Sequence, residues 1–289
     1  MVCFQRKLSR MNYMIAHLTF ADIFVACFNI LPQLIWDITE KFYGNDVICK
    51  SVTYLQVVAM HASSYVIVAT GMDRYRAICR PFHSVKWSTK SSNRLVAIAW
   101  GLSILFSIPQ MFIFGFRAND GGEISCWAVF HPPWTVRIYV LWTAISIYAI
   151  PVLILFIIYS RICRTVWLSI CDKSDIKVDM AKSRRKKVSM TSYVSSFRTH
   201  TTNFQRNLIE QPQSGSNTMK KRMSRAKMRT IKLTVIINAS FILCWCPFFV
   251  SHVWAAFDHK APYEGPAMTI ILLLASLNSC VNPFIFIYF

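Results

Sequence analysis

Six long apolar runs separated by polar stretches set the pattern of this chain: Asn12–Trp36, Cys49–Cys79, Leu95–Phe116, Val136–Trp167, Lys232–Phe257 and Pro266–Phe289. Each is near the ~20 residues that carry a helix across a bilayer. The second and fourth exceed one crossing, so their ends protrude or the helices tilt. Pro32, Pro109, Pro151, Pro247 and Pro283 fall inside these runs. In a soluble helix each is a break, whereas a membrane helix carries it as a kink. The pattern predicts an all-α membrane bundle. Residues 1–167 hold four crossings, 168–226 form a long polar loop expected to be disordered, and 227–289 hold the last two crossings.

Charge fixes the orientation. With the segments before Asn12, around Asp73–Arg94 and between Arg161 and Lys232 in the cytoplasm, 27 of the 32 Lys and Arg lie inside. The net charge of +19 is then a topology signal and not a nucleic-acid footprint. Composition agrees, because 54% of residues are hydrophobic and 16% charged, against roughly 25% charged in soluble domains. The start is too short and basic for a cleavable signal peptide. The basic run Lys182–Lys187 has two readings, a patch near anionic lipid or a kinase-regulated docking element.

Four places carry candidate chemistry. Cys49, at the outer start of the second run, and Cys126, before the fourth, both face the oxidising side, where a disulfide persists. The other eight cysteines lie in spans or inside, and with no CxxC present structural zinc is not expected. Asp22 is an acid amid an apolar run, a costly and usually functional placement. Ser63, Asn278, Ser279 and Asn282 sit at similar depth, and such oxygens suit a small hard cation such as Na+. The competing reading is a protonated acid that only joins helices. Asp73-Arg74-Tyr75 stands where the second run leaves hydrocarbon, so the acid can hold the guanidinium at rest and release it to a partner. Trp245 and Asn282 adjoin the kinks at Pro247 and Pro283, two possible hinges.

The six runs resemble helices two to seven of a rhodopsin-like G-protein-coupled receptor. More narrowly, Leu31-Pro32-Gln33-Leu34-Ile35-Trp36-Asp37, Phe42-Tyr43-Gly44-Asn45-Asp46, Ser125-Cys126-Trp127-Ala128 and Leu274-Ala275-Ser276-Leu277-Asn278-Ser279-Cys280 resemble the vasopressin/oxytocin receptor family. The resemblance implies a heptahelical receptor bundle, a plasma-membrane location, a nine-residue, disulfide-ringed, amidated peptide hormone as ligand, and a Gq-type G protein as partner with calcium release. It places the peptide on Gln33, Asp37, Gln56, Met60, Gln110, Trp245, Phe248 and His252, and G-protein coupling on Asp73, Arg74 and Tyr75. Neutral amides suit a peptide backbone, and Asp37 suits a cationic residue. His252 and Asn29 stand where the family often has glutamine, Thr53 where it has lysine, and Phe286 where it has tyrosine. Lys227, Arg229 and Lys232 open the fifth run without an acid for Arg74, so resting restraint falls on Asp73.

The resemblance begins only at the first cytoplasmic loop. The first helix is therefore expected to be absent and this chain to be retained in the endoplasmic reticulum. Within receptors, the runner-up is a gonadotropin-releasing-hormone/adipokinetic-like or cardioactive-peptide receptor. A transporter would need paired intramembrane ions and a repeated half, yet Asp22 stands alone and no repeat is visible. An enzyme would need a catalytic constellation, and no HExxH or GxSxG occurs.

Overall fold

In a computed structural model the structure describes residues 10–39, 41–80, 89–118, 124–169, 214–258 and 266–288. The apolar runs become helices, the one open-ended backbone arrangement that satisfies its own N–H and C=O groups in lipid. They are α1 (Arg10–Val25), α2 (Leu31–Thr39), α3 (Asp46–Cys79), α4 (Thr89–Phe106), the short α5 (Gln110–Ile113), α6 (Thr135–Thr143), α7 (150–169), α8 (Ser214–Phe257) and α9 (Pro266–Tyr288). Among the described residues, five helical stretches are long and apolar enough to cross a membrane, and α9 contributes a shorter apolar stretch, Ile270–Asn282. Two compact units divide the chain, Met1–Tyr159 with Lys232–Phe289, and Ser160–Ile231. Most of the expected loop 168–226, with Lys182–Lys187, lies outside the described residues.

The prolines act in three ways. Before Pro32 and Pro151 the chain widens into π-helical segments, Ala26–Ile30 and Ala144–Ala149. A proline ring collides with the carbonyl four residues back, and a wider turn relieves that collision. At Pro109 the helix stops instead. The expected span Leu95–Phe116 ends as α4 at Phe106, turns, and resumes for the four residues of α5. Pro247 is carried inside α8. An all-α pattern also gave no sign of the hairpin that follows α5. Strands β1 (Phe114–Ala118) and β2 (Ile124–Ala128) pair antiparallel with Phe116 opposite Cys126.

Within the larger unit α3 is the central helix. Asn45 caps it, its side chain accepting from the Ile48 N–H at 2.9 Å. Its most apolar window is 61% buried, against 44% for the next most buried span. Val66 and Ile67 pack in a core with Met14, Leu18, Phe241 and Trp245. Outer faces remain apolar and exposed, as at Phe156 and Leu243, about 70% accessible each. Water would penalise such a surface, whereas lipid does not. Gly71 marks a close approach to α7, since a Cβ there would sit 3.1 Å from Leu155 Cδ2.

That spacing separates two substitutions. Gly71→Ala is expected to leave the thermal midpoint of the detergent-solubilised receptor nearly unchanged, because the Leu155 methyl can give by tenths of an ångström. Gly71→Ile overfills the contact, at a cost of about 1–3 kcal/mol, and lowers the midpoint. Equal midpoints for the two variants would show that the helices are not in tight contact there.

Candidate functional site

A cavity of about 570 Å³ opens among the larger unit's helices. Gln33 and Asp37 reach it from α2, Gln56 and Met60 from α3, Trp245, Phe248 and His252 from α8, and Leu272 and Ser276 from α9. Seven of the eight expected peptide contacts therefore converge on one space. The Gln33 amide donates to Asp37 Oδ1 at 2.9 Å, one helical turn apart, so it orients the carboxylate. Trp245 is buried, stacked on Phe249 at 5.6 Å and edge-on to Phe248 at 5.7 Å. Its indole N–H has no partner among the described residues. The His252 ring lies 4.0 Å from that of Phe248, and its Nδ1 is 2.8 Å from the Phe248 carbonyl. A carbonyl only accepts, so Nδ1 carries the proton.

Gln110 is the exception. It is buried, does not line the cavity, and its Oε1 accepts a short hydrogen bond from the Tyr139 hydroxyl. The residue expected to meet the peptide instead joins α5 to α6. Asn29 and Ser276 line the cavity without having been singled out as contacts. Thr53, also outside it, turns its hydroxyl to the Cys49 carbonyl at 2.9 Å. A second polar cluster escaped sequence reading altogether. His61 is fully buried, with Nδ1 3.0 Å from the Val57 carbonyl and 3.2 Å from Ser107 Oγ, and Nε2 3.1 Å from Ser146 Oγ. A lone histidine in an apolar run carries no sign that two serines from distant parts of the chain will meet it.

At the other end of α3, Arg74 donates to Asp73 Oδ2 at 2.5 Å. Asp73 is fully buried and Arg74 nearly so, while Tyr75 is half-buried. Ser92, on α4, donates to the second carboxylate oxygen of Asp73 at 3.3 Å. The carboxylate is thus held by two elements, where sequence offered only its neighbour. Breaking such a buried pair from one side leaves a charge without compensation.

Asp22 is buried on α1, and the Asn282 amide of α9 donates to both its oxygens at 3.1 and 3.0 Å. Ser279 also hydrogen-bonds the carboxylate. Ser63 and Asn278 are fully buried on α3 and α9, and Ser63 Oγ, both polar atoms of the Asn278 side chain and Asn282 Oδ1 have no partner among the described residues. Pro283 lies within α9 one residue beyond Asn282. Outside the membrane, Cys49 and Cys126 form the expected disulfide, Cα atoms 5.5 Å apart, fastening β2 to the top of α3. Asp46 adds a second fastening, its Oδ1 accepting from the Phe116 N–H of β1 at 3.0 Å.

An apolar helical bundle with an amide-rich cavity near one end and a buried acid–arginine pair near the other defines a membrane receptor. The profile described as 7 transmembrane receptor (rhodopsin family) matches residues 1–286, and the chain belongs to that family of G-protein-coupled receptors. It is 45% identical to cephalotocin receptor 1 of Octopus vulgaris over 99% of this chain and 70% of that receptor. It is 40% identical to the annetocin receptor of Eisenia fetida over 98% of this chain and 72% of that one. Against the vasopressin V1b receptor of Mus musculus the identity is 38%, over 98% and 65%. Within the family the chain is thus of the vasopressin/oxytocin receptor type, a multi-pass neuropeptide receptor and not an enzyme.

The placement of Gln110 gives an expected contrast. Tyr139→Phe leaves a buried amide oxygen without its donor, a cost of about 1–3 kcal/mol. Tyr139→Phe and Gln110→Ala should therefore share one phenotype, a lowered thermal midpoint of the purified receptor with peptide affinity changed only modestly. Gln56→Ala should do the reverse. Binding isotherms and melting curves on the three variants decide it, and a large affinity loss confined to Gln110→Ala would return that residue to the peptide.

Proposed function

We propose that this receptor works at the plasma membrane, where it binds a nine-residue, disulfide-ringed, amidated peptide of the vasopressin/oxytocin type. Inside the cell it activates a Gq-type G protein and calcium release. The observation that carries this reading is the convergence of Gln33, Asp37 and Gln56 above the aromatic floor of Trp245 and Phe248. Amide side chains both donate to and accept from a peptide backbone, and an acid at the mouth attracts a cationic residue. The floor belongs to α8, whose kink at Pro247 lets the inner part of the helix swing. Agonist and G protein then favour the same swung state, each raising the affinity for the other. Arg74, released from Asp73, meets the G protein together with Tyr75.

We further propose that Na+ occupies the Asp22 group in the resting state. The residues fit a hard cation: a carboxylate, with Asn282 against it and the oxygens of Ser63, Asn278 and Asn282 buried and without partners among the described residues. The ion would supply positive charge to a buried acid and hold α1, α3 and α9 in the resting arrangement. Agonist binding would then oppose sodium.

Calcium imaging of cells expressing the receptor, against a panel of ring-containing amidated nonapeptides, tests the first proposal. One or more peptides are expected to release calcium, and Arg74→Ala to abolish release while surface peptide binding persists. Undiminished calcium signals from Arg74→Ala at matched expression would remove Arg74 from coupling. Replacing N-methylglucamine by sodium at constant ionic strength is expected to weaken agonist binding several-fold, and Asp22→Asn to cancel the effect. A sodium-insensitive parent receptor would leave Asp22 as a purely structural acid.

A further inference from the structure

Arg137, near the outer start of α6, reaches across to α8. Its Nε donates to the Ala256 carbonyl at 3.2 Å, a partner 119 residues away. Its guanidinium also lies 5.6 Å from the centroid of the Phe257 ring, within the range of a cation–π contact. Ala256 and Phe257 are the last two residues of α8. The carbonyls of a final helical turn have no donor within the helix, so Arg137 supplies one that the helix lacks.

What this clasp holds gives it consequence. Residues 248–257 form the outer arm of α8, joined to the rest through Pro247, which has no N–H to bond the carbonyl of Leu243. Phe248 and His252 lie on that arm, eight and four residues before Ala256, and both line the cavity. The three positions share a helical face. Just below the kink, the Tyr148 hydroxyl holds the Ile242 carbonyl at 3.2 Å. At the tip, the Asp258 N–H bonds the Trp254 carbonyl at 2.9 Å and the Trp254 indole bonds Asp258 Oδ2 at 3.3 Å, closing the last turn so that the arm moves as one piece. The arm is thus anchored below its weak point by Tyr148 and at its free end by Arg137. A modest contact at the end of a lever controls a large displacement at that end.

We infer that Arg137 is a positioning residue for the peptide pocket: its clasp on Ala256 and Phe257 sets how far Phe248 and His252 stand into the cavity, and so how fast a bound peptide escapes. The part concerning peptide escape rests on the peptide-receptor reading above; the part concerning the arm does not. Loss of the clasp opens the mouth without touching any group that contacts the peptide. Dissociation then accelerates, while association, which needs no arm movement, changes little.

Two measurements on membranes of cells expressing the full chain test this. The first uses no peptide: Ser276→Cys places a thiol on the cavity wall opposite the arm, and a water-soluble methanethiosulfonate modifies it at a rate that reads the opening of the mouth. Modification of the chain with Ser276 intact gives the background from other cysteines. Arg137→Ala is expected to raise the rate about fivefold, the effect of losing one charge-assisted contact of about 1 kcal/mol. Phe257→Leu, which spares the hydrogen bond, is expected to give a smaller rise, and Arg137→Lys to restore part of the protection. In the second, dissociation of fluorescent vasopressin is timed in the Ser276 background, where Arg137→Ala is expected to speed release by a similar factor. Modification rates that agree within twofold for Arg137, Arg137→Ala and Phe257→Leu would overturn the inference. If the rates rise as stated but fluorescent vasopressin does not bind the parent receptor, the clasp stands and the choice of peptide is what fails.

Discussion

A peptide group in hydrocarbon has no water to turn to, and most of the fold follows from how this chain meets that constraint where proline interrupts it. In the wide turn before Pro151 the Ile150 N–H bonds the Ile145 carbonyl, so the next bond, from residue 151 to Ser146, has no donor. The Tyr65 hydroxyl fills the place at 3.1 Å. Before Pro109 the N–H groups of Ile108 and Gln110 turn to Leu105 and Ser107, leaving the carbonyls of Ile104 and Phe106. Tyr54 takes the first at 3.1 Å and the Trp142 indole the second at 3.4 Å. Tyr148 serves the carbonyl next to the one that Pro247 leaves bare. The repairs at Pro151 and Pro109 are each made by an aromatic side chain from another helix. Local backbone defects therefore become the polar joints that fix how helices sit against one another, in a solvent where apolar burial cannot.

The two buried acids meet the same constraint with charge. Asp73 has an arginine and a serine on its two oxygens, whereas Asp22 has amide and hydroxyl donors from α9 and no cation among its protein contacts. The first arrangement holds a cation already, whereas the second suits the ion proposed above. On that proposal, ligand, ion and G protein act on a single equilibrium between states.

Hydropathy made the apolar helices legible, and the sidedness read from the basic residues made the disulfide legible, because each depends on long runs of one kind of residue or on which side of the membrane a cysteine lies. The cavity was legible through resemblance, which placed Gln33, Gln56, Trp245 and Phe248 together although they come from distant parts of the chain. What remained hidden depends on rotation about helix axes. Whether Gln110 faces the cavity or Tyr139, whether Ser92 reaches Asp73, and whether His61 finds Ser107 and Ser146 are questions of tens of degrees, and an apolar run is silent on them. Pro109 announced a kink, but not that the chain would turn away into a hairpin. Arg137 read only as one of five outer basic residues, since its partner is a backbone carbonyl, which has no signature in sequence.

The bridge between Cys49 and Cys126 joins positions 77 residues apart. Between them the chain descends through α3, turns on the inner side and climbs back through α4 before reaching β2. The two thiols share a compartment only after both passages have been inserted in the right sense. The bond therefore depends on both passages: with α4 left uncrossed, Cys126 would stay on the reducing side, away from Cys49, and the fastening could not form.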